Sequence, residues 1–209
     1  MATSRDRLST GKLARTVSYP LNGKMVTRSI GVSDKPRSKL QLAVMQKTKV
    51  TSEFLNPVMP YVKIGYEIIA RLNKEHPQNP AFVYHWKNAL KGEYPDIGVD
   101  FSKAKLTAGV LPIPEKVSCS LLGNGVNFSW DPAFEEGYAH WTDQVMMLAY
   151  FPESMTSNYV TAGANRHVGN DLLLLTLEKK NALMELYISF ISSSRQSISN
   201  SVYAGQLYW

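Results

Sequence analysis

The stretch VSCSLLGNGVNFSW, Val117 to Trp130, decides the fold. Val117, Cys119 and Leu121 alternate with Ser118 and Ser120, Gly123-Asn124-Gly125 turns the chain, and Val126, Phe128 and Trp130 alternate with Asn127 and Ser129. A period of two on both sides of a glycine-rich turn predicts two antiparallel strands with one buried face. On that parity Cys119 points inward and reads as a small core hydrophobe rather than a reactive thiol.

Further strand-sized runs follow at 144–150, 158–162, 171–177, 182–192 and 197–209, separated by turn-forming residues. That spacing over residues 116–209 predicts an immunoglobulin-like or fibronectin-type-III-like β-sandwich. Trp130 on one strand and Met184, Leu186, Ile188 and Phe190 on another supply its large core side chains. Each contributes about 1.5–3 kcal/mol when fully buried. Tyr187 lies on the opposite parity beside Glu185 and Ser189 and is a candidate for the tyrosine-corner role.

Pro112 and Pro114 mark the expected near edge of this domain. Before them the pattern is helical. From Ser38, the residues Leu40, Val44, Met45, Phe54 and Leu55 fall near one face, and Pro57 and Pro60 are expected to end the helix. Tyr61, Ile64, Ile68 and Leu72 form a second apolar stripe. A third helix is expected to start at Asn79 as N-cap with Pro80 in its first turn and to close at Gly92. Its buried side is Phe82, Val83, Trp86, Ala89 and Leu90, with His85 partly exposed. Alternation at Ile97, Val99 and Phe101 predicts one or two short strands.

At the N-terminus two β-prone runs, 15–19 and 25–30, flank Asn22-Gly23, the preferred pair for a type I′ hairpin. The expected organisation is therefore mixed but mainly β: a basic arm and hairpin over residues 1–37, a helical segment over 38–111, and the sandwich over 112–209. A two-stranded hairpin alone is marginal in water, so it is expected to dock on its own chain, a neighbouring subunit or a ligand.

Charge is concentrated in the same region. Residues 1–50 hold eleven Lys or Arg against Asp6 and Asp34 alone, a net +9 that leaves −3 for residues 51–209. Arg5, Arg7, Lys12, Arg15, Lys24 and Arg28 are the candidate contacts for an acidic partner. A solvated, solubilising face would carry the same charge. Only Tyr19 accompanies it as an aromatic residue, which suits phosphate-backbone contact better than base reading.

Chemistry is hard to find. The chain has no Gly-rich phosphate loop, no His-Glu-x-x-His, no Gly-x-Ser-x-Gly and, with one cysteine, neither a Cys-x-x-Cys nor an internal disulfide. His76, His85, His140 and His167 lack metal-ligand spacing. Glu135, Glu136 and Asp143 near His140 could form a weak acid–base or calcium cluster, but solvated loop carboxylates explain them as well. The reading is a non-enzymatic protein with no cofactor and no metal. No apolar run reaches the ~20 residues of a membrane span, and the first residues lack the apolar core of a secretory signal. A cytoplasmic protein, or one assembled into a particle, is expected.

Several segments together carry a resemblance: Gly11-Lys-Leu-Ala-Arg-Thr-Val-Ser-Tyr19 with Asn22-Gly-Lys-Met-Val-Thr-Arg-Ser29, Phe54-Leu-Asn-Pro57, Ile64-Gly-Tyr66, Asn88-Ala-Leu-Lys-Gly92 with Tyr94-Pro-Asp96, and Ser199-Asn-Ser-Val-Tyr-Ala-Gly205. In order, they resemble an uncharacterised bacterial family of the Bacteroidota type, a domain of unknown function. The resemblance implies that hairpin, helices and sandwich recur as one unit; it brings no activity, ligand or catalytic residue. The leading expectation is a structural or self-assembling protein, a filament, surface or virion-like subunit, whose N-terminal arm contacts other subunits as a homo-oligomer. Nucleic-acid binding by the basic arm is the first alternative. An adhesion or carbohydrate-binding sandwich using Trp141, Tyr138 or Tyr159 is the second.

Overall fold

The computed structural model describes residues 3–5, 8–31, 35–134, 139–176 and 181–209, with side chains from residue 10 onward. The chain divides into two compact units, Met1–Ser38 and Lys39–Trp209.

The first unit is a four-stranded antiparallel sheet in the order β1-β2-β3-β4: β1 Thr3–Arg5, β2 Leu8–Leu13, β3 Thr16–Leu21 and β4 Lys24–Ser29. The expected hairpin is its β3–β4 half. Asn22 and Gly23 both take positive φ, 49° and 75°, the requirement of a type I′ turn. The sheet is larger than the sequence suggests because a second two-residue turn, Ala14-Arg15, joins β2 to β3. Alanine seldom occupies the left-handed region it takes here, φ 50°, so its type gives no turn signal.

The second unit begins with α1, Lys39–Gly65, followed by α2 Glu67–Asn73, α3 Gln78–Asn88 and a small β5–β6 pair, Leu90–Lys91 with Gly98–Val99. Pro57 and Pro60 lie inside α1 and do not end it. Each proline removes a helical hydrogen bond at about 3 kcal/mol, and tertiary packing offsets that cost. Phe54, Leu55, Val58, Tyr61 and Val62 are all at most 2% exposed, and Ser157 donates a 2.8 Å hydrogen bond to the Pro57 carbonyl. The break comes at Gly65, where a Cβ would lie 2.3 Å from the Leu106 carbonyl oxygen. Of the second stripe, Tyr61, Ile64 and Ile68 face the core, whereas Leu72 is exposed.

α3 starts one residue before Asn79, and no side chain caps it. Its buried face is Ala81, His85 and Ala89, and Val83 is exposed. His85 is thus a core residue, not a partly exposed one: small alanines on either side bring the helix close enough to enclose the ring. Gly92 does not close α3. It turns the chain between β5 and β6 at φ 82°.

All seven expected sandwich strands form: β7 Ser118–Leu122, β8 Gly125–Ser129, β9 Gln144–Phe151, β10 Thr156–Val160, β11 Asn170–Leu174, β12 Leu183–Ile191 and β13 Val202–Tyr208. They make two antiparallel sheets, β11-β8-β7 and β10-β9-β12-β13. Val126, Phe128, Leu173, Val145, Met147, Ala149, Phe151, Met184, Leu186, Ile188 and Phe190 share one core between them, and Trp130 meets Phe190 edge-on at 5.7 Å. The overall class is mixed and mainly β, as expected.

The other face of the four-stranded sheet is buried too. Met146, Leu148, Tyr150, Tyr187 and Ile191 share a second core with α1, Ala81 and Ala89 of α3, and Ala104, Leu106 and Ala108. Helices, central sheet and outer sheet are three layers of one unit, and Pro112 and Pro114 lie inside it. Tyr187 serves the helix-side core: its hydroxyl donates to the Phe101 carbonyl rather than to nearby backbone, so it makes no tyrosine corner. Among the described residues no helix is long and apolar enough to cross a membrane.

Candidate functional site

The N-terminal sheet arranges the basic residues by strand register. Lys12 is opposite Val17, Val17 opposite Arg28, Tyr19 opposite Val26, and Leu21 opposite Lys24. Cross-strand partners share a face. One face therefore carries Lys12, Lys24 and Arg28 around Val17, Tyr19, Leu21 and Val26. The other carries Thr16, Ser18, Met25 and Thr27, with the Ser18 and Thr27 hydroxyls 2.8 Å apart.

On the first face the Arg28 guanidinium lies 5.7 Å from the centre of the Tyr19 ring, within range of a cation–π contact. Lys12, Lys24 and Arg28 are exposed. Arg15 is apart from them, in the β2–β3 turn, where its carbonyl accepts the Ile30 amide. Arg5 belongs to β1, but its side chain is outside the described residues, as is Arg7 altogether. Three of the six expected residues thus meet on one surface. Two-residue turns fix register, so this grouping was already implied by Asn22-Gly23 for the β3–β4 half; the Lys12 position depended on the silent Ala14-Arg15 turn.

The arrangement can hold phosphate or carboxylate oxygens on three cations and place an apolar or planar group against Tyr19 and Val17. Among its described residues there is no acid–base pair. Of the acidic cluster expected near His140, Asp143 alone is among the described residues. The Asp143 carboxylate is buried, pairs with Arg166 at 3.4 Å and accepts the His140 backbone N–H at 3.0 Å. Glu135 and Glu136, like Tyr138, lie outside the described residues. Among the described residues no three His, Cys, Asp or Glu come together as metal ligands. Cys119 packs against the inter-sheet core, and burial pushes its thiol pKa up to about 12. His85 is held neutral: burial lowers its pKa to about 4, while Nδ1 donates to the Ala81 carbonyl at 2.7 Å and Nε2 accepts the Lys105 N–H at 3.3 Å. Tyr159 is on strand β10 rather than a loop, stacked edge-on against Tyr61.

Fold and site together define a helix-backed, two-sheet β protein with a basic, aromatic-bearing N-terminal sheet. The chain belongs to a family of unknown function, DUF6266, whose model matches residues 10–205. No curated protein matches the chain.

Proposed function

We propose that the protein is a non-enzymatic structural or self-assembling subunit, of a filament, surface or virion-like particle, and that its N-terminal sheet is the part that meets a neighbouring copy. One observation carries this reading: none of the described residues 10–31 and 35–38 is buried, although β3, β4 and the end of β2 run through them. Ordering a strand residue costs about 1–2 kcal/mol in backbone entropy, and a sheet without a core has little to set against it. A partner that covers Val17, Tyr19 and Val26 supplies what is missing. The three-layer unit is the platform. Lettered in chain order, its strands run A-B-E against C′-C-F-G, which supports an immunoglobulin-like or fibronectin-type-III-like reading.

The test is the oligomeric state of the full chain beside a variant lacking residues 1–35. Oligomers in light scattering or electron microscopy that revert to monomer on deletion are expected. A strictly monomeric full-length protein at high concentration overturns the reading.

The Arg28–Tyr19 contact favours a second reading, nucleic-acid binding through Lys12, Lys24 and Arg28. Neutralising three phosphates on a duplex gives a log–log salt slope of roughly −3. A mobility-shift titration over salt that shows no complex, or one unchanged in Lys12→Ala/Lys24→Ala/Arg28→Ala, removes it.

A further inference from the structure

Three connections converge at one end of the sandwich. The β8–β9 connection brings His140, Trp141, Thr142 and Asp143, the β10–β11 connection Arg166 and His167, and the β12–β13 connection Ser193 and Arg195. They are stitched together from beneath. Asp143 and Arg166, each 2% exposed, form the buried pair. Arg166 also donates to the Pro112 carbonyl at 3.1 Å and stacks 3.7 Å from the Phe190 ring. Arg195 donates to the Thr161 carbonyl at 2.8 Å and to the Gln144 side chain at 3.1 Å.

On this braced end Trp141 stands 51% exposed, with the His140 and His167 rings each 5.5 Å from its own. A large aromatic ring of this kind is costly to leave in water, and here the backbone holds it there. The two histidines are oriented by different bonds. His140 Nδ1 lies 2.6 Å from the Thr142 hydroxyl and 3.3 Å from the Thr142 backbone nitrogen. His167 Nδ1 is 3.1 Å from the Trp141 carbonyl, so it carries the proton and its Nε2 is an acceptor. An indole face thus has an imidazole Nε2 on each of two neighbours, the His167 one an acceptor in the neutral ring. Among the described residues neither Nε2 has a partner.

We propose that this end is a binding site for a neutral pyranose glycan. The C–H face of a pyranose ring is apolar and stacks on an electron-rich indole, while each hydroxyl both donates and accepts, matching the two Nε2 atoms. The cations at hand do not suit an anionic ligand, because Arg166 and Arg195 are committed to protein oxygens. Sandwich-end loops on a rigid scaffold are also where ligands are commonly met. The site is independent of the N-terminal sheet and of what that sheet contacts.

The full chain is titrated with cellotetraose, maltotetraose and N,N′,N″,N‴-tetraacetylchitotetraose, followed by calorimetry and tryptophan fluorescence. Saturable binding of at least one, with a Kd in the roughly millimolar range of a single-platform site, is expected. Trp141→Ala weakens it by about tenfold or more, and Trp141→Phe, with a smaller ring, lies between. Circular dichroism controls for folding, and Trp141 is exposed enough for both variants to keep the wild-type spectrum. No saturable binding to any of the three sugars, an affinity unchanged in folded Trp141→Ala, or Trp141-dependent binding of oligo-dT in place of the sugars overturns the proposal.

Discussion

The Tyr187 hydroxyl, midway along β12, donates a 2.8 Å hydrogen bond to the carbonyl oxygen of Phe101, in the segment that follows the helices. It joins two parts of the chain that a reader of the sequence would separate. Tyr187→Phe removes one of two hydrogen bonds to that carbonyl, the other coming from the Ala104 N–H at 3.2 Å, and is expected to cost roughly 0.5–1.5 kcal/mol. Urea unfolding of the variant should show a lower midpoint with unchanged slope.

Because β9 and β12 bury both faces, residues 112–209 alone would expose Met146, Leu148, Tyr150, Tyr187 and Ile191. A fragment limited to that range is expected to aggregate, whereas residues 39–209 unfold in one transition. Coincident far-ultraviolet and tryptophan-fluorescence melts check the latter.

His85 makes stability depend on pH. Its folded-state pKa, lowered to about 4 from 6.5, means the unfolded chain takes up the proton more readily. The contribution is fully present above pH 6.5, declines as pH falls, and is gone near pH 4, a loss of roughly 3 kcal/mol. His85→Gln, which cannot titrate, should flatten the stability curve between those limits.

Arg166→Met leaves the Asp143 carboxylate buried without its partner and should cost about 3–5 kcal/mol. Adding Asp143→Asn is expected to recover much of that loss. A double-mutant cycle on denaturation midpoints measures the coupling.

In the N-terminal sheet, Gly23 holds φ 75° with open space where a side chain would go. Gly23→Ala therefore costs strain alone, about 1 kcal/mol. Amide exchange at Val17 and Val26 should rise roughly fivefold, with no change in the sandwich.

What residues 117–130, the runs after them and the Asn22-Gly23 pair determined was local: strand identity, the inward parity of Trp130, Leu186, Ile188 and Phe190, and a type I′ turn. Period-two alternation and positive-φ turn chemistry act within a few residues, so they are written in neighbouring side chains. The uninterrupted apolar run Val145–Phe151 matches the burial of β9 on both faces that the structure shows, since a strand with one wet face alternates. Which layer would cover the second face was not written there. Only tertiary packing carried α1 through Pro57 and Pro60, enclosed His85, and turned Tyr187 toward Phe101, because those outcomes depend on contacts up to about a hundred positions apart. The same holds for function. Lys12, Lys24 and Arg28 could be named as charges from the sequence, but their shared face with Tyr19, and the meeting of Trp141 with His167 across two loops, exist only once the strands have set their register.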